Sequence, residues 1–404
     1  MMNTWEFPSG SHFVKQVVEK TAEQQSCIVV LPTLMDTEKF IIAFERQLML
    51  EERGVCVIHD VDINKTFTDN VYEAVSGEKQ HGAVDFDELL CLGIGGSFLA
   101  LRIPDGDNLA ISTLNESLRQ FALSLKRKKN SGESMPWTLL VACPAMLPLP
   151  ESDIGMTVIP WQGKWRKADV ETAFDECLRL FPPASDELGW WLYALCLGLG
   201  MTAPMLCHDL FREEPRNMEA LNSFLRNHPA ANGIAPMDNG CIIAIDEQSP
   251  RPPGSIRAET TLVGSQKLAL WRKGLLDLDE SGNLGLHPAA LAATNRGASL
   301  ERLVCRGQQQ AFLPLVHSVL RHLHIKIADT CGDDWHKKHS EESWDSVKYD
   351  IGPLPQYIKQ FLRHCPSDIQ DAAIAWRDVR HSVAHNKFLP FERLQKAIGI
   401  LRRI

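Results

Sequence analysis

The chain has 404 residues, a formal net charge of −9, 44% hydrophobic residues and 23% charged residues. This length exceeds one ordinary hydrophobic core, so we expect two to four domains. The excess of acidic residues excludes a protein that coats nucleic acid over its whole surface. Any contact with RNA must come from a local basic patch.

The chain has 11 cysteines, scattered singly among apolar neighbours, as around Cys27, Cys91, Cys143 and Cys196. This pattern is typical of small buried core residues and not of a disulfide framework. No apolar run reaches the length of a membrane span, and no signal peptide precedes Trp5. We therefore expect a cytoplasmic protein that has no membrane partner.

The N-terminal part alternates strand and helix patterns. An apolar run at 27–32, a helical pattern at 38–53 and a second apolar run at 55–58 form a βαβ unit, which predicts a parallel sheet. Further strands are predicted at 89–94, 138–142 and 156–159, with a long helix at 112–128. The predicted fold class of this half is α/β, with a parallel sheet like that of a P-loop NTPase.

The loop after the first strand lacks the chemistry of a phosphate-binding loop. Such a loop needs glycines, a lysine and a following hydroxyl residue. The stretch 32–40 has no glycine, Phe40 follows Lys39, and Asp36 would repel phosphate. The predicted strand at 89–94 carries no acid at its end. We therefore predict a degenerate sheet that does not hydrolyse NTP, and no cofactor.

Two features of about residues 8–245 are informative: the order of strands and helices, and the strand that contains LLVACPA. In these features the chain resembles the AAA+/STAND ATPases of bacterial defence proteins, in a form without their catalytic motifs. The resemblance implies that this half is a sensor or a docking scaffold.

The middle of the chain is predicted to be helical and then to form a helix with a hairpin. Trp190 and Trp191 share an apolar run and are expected in the core. A strand-like run lies within 239–253, and a helix with a hairpin over 265–288 indicates a winged-helix-like connector. The predicted domains are 1–162 (degenerate AAA+/P-loop-like), 163–245 (helical, lid-like), 246–294 (winged-helix-like) and 295–404 (all helical).

The C-terminal part reads as four helices, at 299–329, 354–364, 367–386 and 390–402. The third helix carries Arg380, His381 and His385. Arginine offers a permanent charge and a planar fork that suits phosphate, and histidine exchanges protons near neutral pH. This combination suits cleavage of an RNA phosphodiester.

Four helices with this motif on the third resemble the HEPN domains of bacterial defence and toxin proteins. The resemblance implies a metal-independent endoribonuclease in which Arg380 and His385 act on the scissile phosphate and His381 assists orientation. It also implies an RNA substrate (tRNA or mRNA) and a homodimer formed through the C-terminal helices. One departure is that the first helix has His317 and no carboxylate near the motif.

A second interpretation is not enzymatic. Arg380 could be a surface arginine paired with Asp378 or Glu392, and His385 could interact favourably with the helix dipole. The same helices would then form a docking surface of a multi-subunit defence complex, with an ATPase or another defence protein as partner.

Two further interpretations concern metal and DNA. Cys331, His336 and His339 have ligand-like spacing, but a second ligand pair is missing, so we predict no metal. A winged-helix DNA-binding regulator is the third functional interpretation. It would require specific DNA binding that survives moderate salt.

Overall fold

The computed structural model describes residues 3–23, 26–32, 35–77, 86–94, 97–103, 108–132, 137–144, 156–161, 163–248, 265–279, 284–338 and 347–404. The chain divides into two compact units. The first consists of Met1–Lys164 and Pro252–Gly285, and the second of Trp165–Arg251 and Leu286–Ile404. The finer division into four domains stays a prediction.

A five-stranded parallel sheet organises the first unit. Its strands are β1 (Cys27–Leu31), β2 (Cys56–Asp60), β3 (Phe98–Arg102), β4 (Thr138–Pro144) and β5 (Thr157–Pro160), in the order β2-β3-β4-β1-β5. All five residues of β1 are buried, since this strand pairs with β4 on one side and β5 on the other. The parallel sheet confirms the predicted α/β fold class of the N-terminal half.

Helices cover this sheet and bury an aromatic cluster. Trp5 lies in a short 3₁₀ helix (Thr4–Glu6), and its ring centroid is 4.9 Å from that of Phe40 and 5.4 Å from that of Trp161. The helices of this part of the chain are α1 (Pro8–Ala22), α2 (Thr37–Leu50), α3 (Phe67–Ser76), α4 (Phe86–Leu89) and α5 (Asn108–Asn130).

The strand predicted at 89–94 is wrong. Helix α4 ends at Leu89, and a turn follows it. The strand that enters the sheet is β3, which begins at Phe98, nine residues after the predicted start of the strand at Leu89. Leu89 and Leu90 are buried without any strand pairing. Burial alone therefore explains their apolar character, whereas β3 satisfies its backbone groups by pairing with both β2 and β4.

The helices that follow open the second unit. They are α6 (Lys167–Leu180), α7 (Asp186–Leu199), α8 (Leu206–Glu213), α9 (Met218–Asn227), α10 (Pro229–Asn232) and α11 (Asp238–Gln248). Trp191 in α7 is buried, as expected, and its Nε1 donates to the carbonyl oxygen of Pro215 at 2.8 Å. The strand-like run predicted within 239–253 is wrong because its described part is α11. Its buried Cys241, Ile242 and Ile245 follow a helical step.

A second, three-stranded sheet has the order β6-β7-β8. Its strands are β6 (Gly163–Trp165), β7 (Leu276–Asp279) and β8 (Leu284–Leu286), and α12 (Ser265–Arg272) precedes β7. The helix and both hairpin strands lie where the sequence predicted them, while the turn at 280–283 lies outside the described residues. The winged-helix identity of these elements stays a prediction.

All regular elements that the structure describes in the C-terminal segment are helices. These are α13 (Pro288–Ala293), α14 (Gly297–Cys331), a 3₁₀ helix (Asp333–Lys338), α15 (Leu354–Phe361), α16 (Ser367–Ala384) and α17 (Phe391–Leu401). Helix α14 continues through Pro314 and packs closely on α7. A Cβ atom at Gly307 would overlap the carbonyl oxygen of Ala194 and the backbone of Gly198. None of the described helices has the length and apolarity needed to cross a membrane.

Candidate functional site

The predicted motif lies at the C-terminal end of α16. This segment is helical because its apolar positions at steps of three and four meet the core, among them Ile369, Ala373 and Val383. Trp376 is fully buried, and its Nε1 donates to the carbonyl oxygen of Ala397 in α17 at 3.1 Å. The buried face fixes the rotation of the helix and leaves the motif on its flank.

Arg380 is anchored by a carboxylate. Its Nη2 donates to Asp350 Oδ2 at 2.6 Å, and the Arg380 side chain is 33% exposed. Asp350 is itself oriented, since its Oδ1 accepts from the backbone N–H of Gly352 at 2.9 Å. The pairing leaves other donors of the planar guanidinium available to a phosphate.

The two histidines of the motif lie side by side at the end of the helix. The ring centroids of His381 and His385 are 4.4 Å apart with an interplanar angle of 57°, and both residues are exposed. Residues four apart share a helix face, whereas Arg380 and His385, five apart, are rotated from each other by about 140°. The structure thus brings the two imidazoles together, while the polar contact of Arg380 is with Asp350.

The segment that follows the motif is held by two glutamines of α14. Gln308 is fully buried; its Nε2 donates to the carbonyl oxygen of Leu389 and its Oε1 accepts from the Leu389 N–H, both at 2.9 Å. Gln309 Nε2 donates to the carbonyl oxygen of Val383 at 3.0 Å. Asn386 adopts a left-handed φ of 53°, which asparagine tolerates better than most residues. These contacts define the backbone on which His385 lies.

Asp350 is the site residue that the sequence did not suggest. The first helix of the C-terminal segment carries His317 and no carboxylate near the motif. The structure supplies a carboxylate from the segment just before α15 instead. A short signal was available, because Asp350 precedes Gly352 and Pro353, a pattern that favours a side-chain-capped turn. Asp378, one of the two alternative partners considered for Arg380, forms its ion pair with Arg377 instead, at 2.8 Å.

The proposed metal ligands do not form a described site. Cys331 ends α14 and His336 lies in the 3₁₀ helix, while His339 lies outside the described residues. Within the described ranges, no group of three or more His, Cys, Asp or Glu side chains is placed to hold a metal ion.

The N-terminus of α2, where a P-loop would bind phosphate, is closed by its own carboxylate. Asp36 Oδ1 accepts from the Lys39 N–H at 3.0 Å, and its Oδ2 is 3.5 Å from Lys39 Nζ. Trp5 Nε1 donates to the Asp36 carbonyl oxygen at 3.1 Å. A carboxylate at this position occupies the place that favours an anion. Thr33 and Leu34, also part of the predicted loop, lie outside the described residues.

The carboxyl ends of β2 and β3 carry an ion-pair network. Arg102 donates from Nε and Nη2 to the two carboxylate oxygens of Asp60, both at 2.7 Å, and its Nη1 is 2.8 Å from Glu38 Oε2. These contacts, led by the hydrogen bond to Asp60, raise the pKa of Arg102 above its usual value. The acidic groups of this edge are thus engaged by a protein cation.

No family model matches the chain, and no curated protein matches it. Among solved structures, the RuvB Holliday junction branch migration motor of Thermotoga maritima is similar, with 11% identity, a TM-score of 0.33 and coverage of 70% of this chain and 93% of that chain. Two variant forms of RuvB match with 12% identity, TM-scores of 0.32 and 0.31, and coverage of 70% of this chain and 92% of theirs. These identities and TM-scores mark a distant structural similarity.

Proposed function

We propose that the second unit is a metal-independent endoribonuclease of the HEPN type, with Arg380, His381 and His385 as its site. The observation that carries the proposal is the end of α16, where an anchored guanidinium and two exposed imidazoles in contact are held on one short segment. These are the groups that phosphodiester cleavage needs when no metal takes part.

In the proposed reaction, His385 takes the proton from the 2′-hydroxyl of the substrate. The 2′-oxygen attacks the adjacent phosphorus, and the bond from phosphorus to the 5′-oxygen breaks. The leaving 5′-oxygen receives a proton from the imidazolium of His385 or from water, which gives a 2′,3′-cyclic phosphate and a 5′-hydroxyl end. Arg380 stabilises the charge that develops on the phosphate oxygens, and His381 orients His385 through its ring contact.

Asp350 would act on the reaction through Arg380. It does not touch the substrate in this scheme; it fixes the direction of the Arg380 guanidinium, so it is a positioning residue. An ion pair between half-exposed side chains contributes little to stability, about 0 to 1 kcal/mol. Its loss should therefore affect the reaction more than the fold.

The N-terminal half would serve as a sensor or partner-docking scaffold that does not hydrolyse NTP. The capping of α2 by Asp36 supports this role, since a nucleotide phosphate and a carboxylate would compete for the same N–H groups. The setting in bacterial defence or toxin action, and a homodimer that pairs two motifs, are further parts of the proposal and come from the resemblance.

The test is cleavage of end-labelled tRNA and mRNA by the purified full chain in EDTA. We expect 2′,3′-cyclic phosphate ends and a loss of about 100-fold or more in Arg380→Ala and His385→Ala, which is the range of general acid–base effects. Arg377→Ala is the matched control, as Arg377 lies one turn earlier on α16 and pairs with Asp378. Equal cleavage by the two site variants and the control would refute the assignment.

The second candidate function is a non-catalytic scaffold, and the Arg380–Asp350 ion pair is the observation that favours it. In that case Arg380 would have a structural partner and no substrate. Asp350→Asn separates the two functions. A nuclease predicts a lower kcat with near-normal melting temperature, whereas a scaffold predicts no RNA cleavage by any form of the chain and retention of a protein partner.

A further inference from the structure

A large cavity lies beside the proposed nuclease motif. It has a volume of about 820 Å³ and follows the first turns of α14 to the residue after His385. This volume is within the range of about 300 to 1,000 Å³ that small-molecule sites occupy. Its charged and amide-bearing lining includes Arg296, Glu301, Arg302, Arg306, Gln309 and Asn386.

One of the three arginines is already neutralised. Arg296 Nε donates to Asp246 Oδ2 at 2.5 Å, and the hydroxyl of Ser299 donates to the same oxygen at 2.6 Å. Asp246 is buried, with 6% of its surface exposed. Arg302 lies farther from it, with Nη2 3.7 Å from Asp246 Oδ1, and its side chain is 62% exposed. Asp246 therefore engages Arg296 closely and leaves most of Arg302 open.

Arg302 and Arg306 are four residues apart and share one face of α14. Arg302 Nη2 donates to the Ser299 hydroxyl at 2.7 Å. Arg306 forms no ion pair with any residue that the structure describes. Like charges at this spacing repel each other, and the carboxylate of Glu301 is the other charged group of the lining. The cavity and its surroundings therefore contain three guanidinium groups and two carboxylates, those of Glu301 and Asp246. This excess of positive charge favours an anionic ligand.

The remaining polar groups suit a nucleobase. Asn386 carries an exposed side-chain amide that can both donate and accept. Gln309 uses its Nε2 to hold the Val383 carbonyl, which leaves its Oε1 as an acceptor. RNA bases that are unstacked from a helix are recognised through such hydrogen bonds on their edges.

The cavity and the motif share the same backbone. Asn386 follows His385 directly, and Gln309, on the cavity wall, holds the last turn of α16 at Val383. A strand of RNA whose phosphate lies at Arg380 and His385 has only to extend along α14 to place a neighbouring nucleotide in the cavity.

We propose that this cavity binds a nucleotide unit of single-stranded RNA next to the cleaved phosphate. Arg302 and Arg306 bind its phosphate, and Asn386 and Gln309 contact its base. The proposal rests on the proposed nuclease function for the identity of the ligand. The shared chemistry is that of a nucleoside monophosphate, which could also be supplied by a free nucleotide.

The test measures binding of a short fluorescein-labelled single-stranded RNA to the full chain in a His385→Ala background, by fluorescence anisotropy. Adding Arg302→Gln and Arg306→Gln should weaken binding by about tenfold or more. It should also lower the slope of log affinity against log salt by about 0.7, the contribution of one phosphate contact on a single strand, because both arginines bind the same phosphate. Arg363→Gln with Arg393→Gln is the matched control, because both arginines are exposed and outside the cavity.

The outcomes separate the possible ligands. Competition by uridine monophosphate at a lower concentration than inorganic phosphate supports a nucleotide site. Binding of the mononucleotide without binding of RNA would overturn RNA as the ligand, and equal RNA affinity of the cavity variant and the control would overturn the site. A chain that cuts no RNA but binds it through Arg302 and Arg306 would refute the nuclease and leave this inference intact.

Discussion

The clamp between α14 and the segment after α16 allows a graded test with three consecutive residues. Gln308 is fully buried and forms two hydrogen bonds of 2.9 Å with the backbone of Leu389. Gln309 is half-buried and forms one hydrogen bond of 3.0 Å with the Val383 carbonyl. Gln310 is exposed. Each is replaced by Met, which keeps the length and the helix propensity and removes the amide.

The expected losses follow from what each replacement leaves unpaired. Gln308→Met leaves the buried N–H and carbonyl groups of Leu389 without a partner, at about 1 to 3 kcal/mol each, so we expect about 2 to 6 kcal/mol. Gln309→Met removes one hydrogen bond to the Val383 carbonyl, which still accepts from the Asn386 N–H, so we expect a loss of about 0.5 to 1.5 kcal/mol. Gln310→Met should change the free energy of unfolding by less than about 0.5 kcal/mol.

Two measurements test this order. Urea unfolding followed by circular dichroism gives the free-energy differences, and hydrogen exchange with mass spectrometry reports the Leu389 amide directly. In Gln308→Met this amide should exchange faster, while in Gln310→Met it should remain as protected as in the wild type. If Gln308→Met and Gln310→Met had the same stability and the same exchange, the clamp would not be what holds this segment.

Two more predictions concern close packing and pH. Gly307→Ala should destabilise the protein by about 1 to 3 kcal/mol because the added methyl group overlaps the Ala194 carbonyl. Gly399→Ala should stabilise α17 by about 0.5 to 1 kcal/mol, since nothing lies within 4 Å of the added methyl group. Thermal melts of both variants check that the two effects have opposite signs. Burial, aided by the charge of His228, lowers the pKa of His287 from 6.5 to about 3, so its contribution is full above pH 6.5 and falls as the pH drops towards 3. At pH 5.5 the loss should be about 1.4 kcal/mol, and urea unfolding at pH 7.5 and 5.5 should show this difference in the wild type and not in His287→Asn.

Local sequence signals were sufficient where an element is buried on all sides. The β1 run is apolar at every position because two parallel neighbours and helices surround it. They failed where two apolar runs compete. Leu89 and Leu90 form a run as apolar as that of β3, and only the pairing of β3 with two strands decides between them. Such pairing is non-local and leaves no trace in a short window.

The difference between local and non-local contacts also explains which parts of the candidate site the sequence predicts. Spacing on one helix is a local property, so the sequence alone is enough to predict Arg380, His381 and His385 as a candidate site. The partner of Arg380 lies 30 residues earlier in the chain and is joined to it only by the tertiary fold. The run in α11 illustrates the opposite error, because β-branched Ile242 and Ile243 favour a strand locally while the packing of the unit selects a helix.

The carboxylates at two helix N-termini in this chain come from different sources. At α2 the N-terminal N–H of Lys39 is satisfied by Asp36, so the macrodipole there already has its negative partner. At α14 the capping residue is Arg296, which gives no side-chain hydrogen bond to the helix and whose guanidinium instead binds Asp246. The first turn of α14 therefore also has a carboxylate beside it, which comes from α11 and accepts from both Ser299 and Arg296. Because Asp36 caps only α2, replacing Asp36 should alter the stability of α2 without altering the proposed RNA binding at α14.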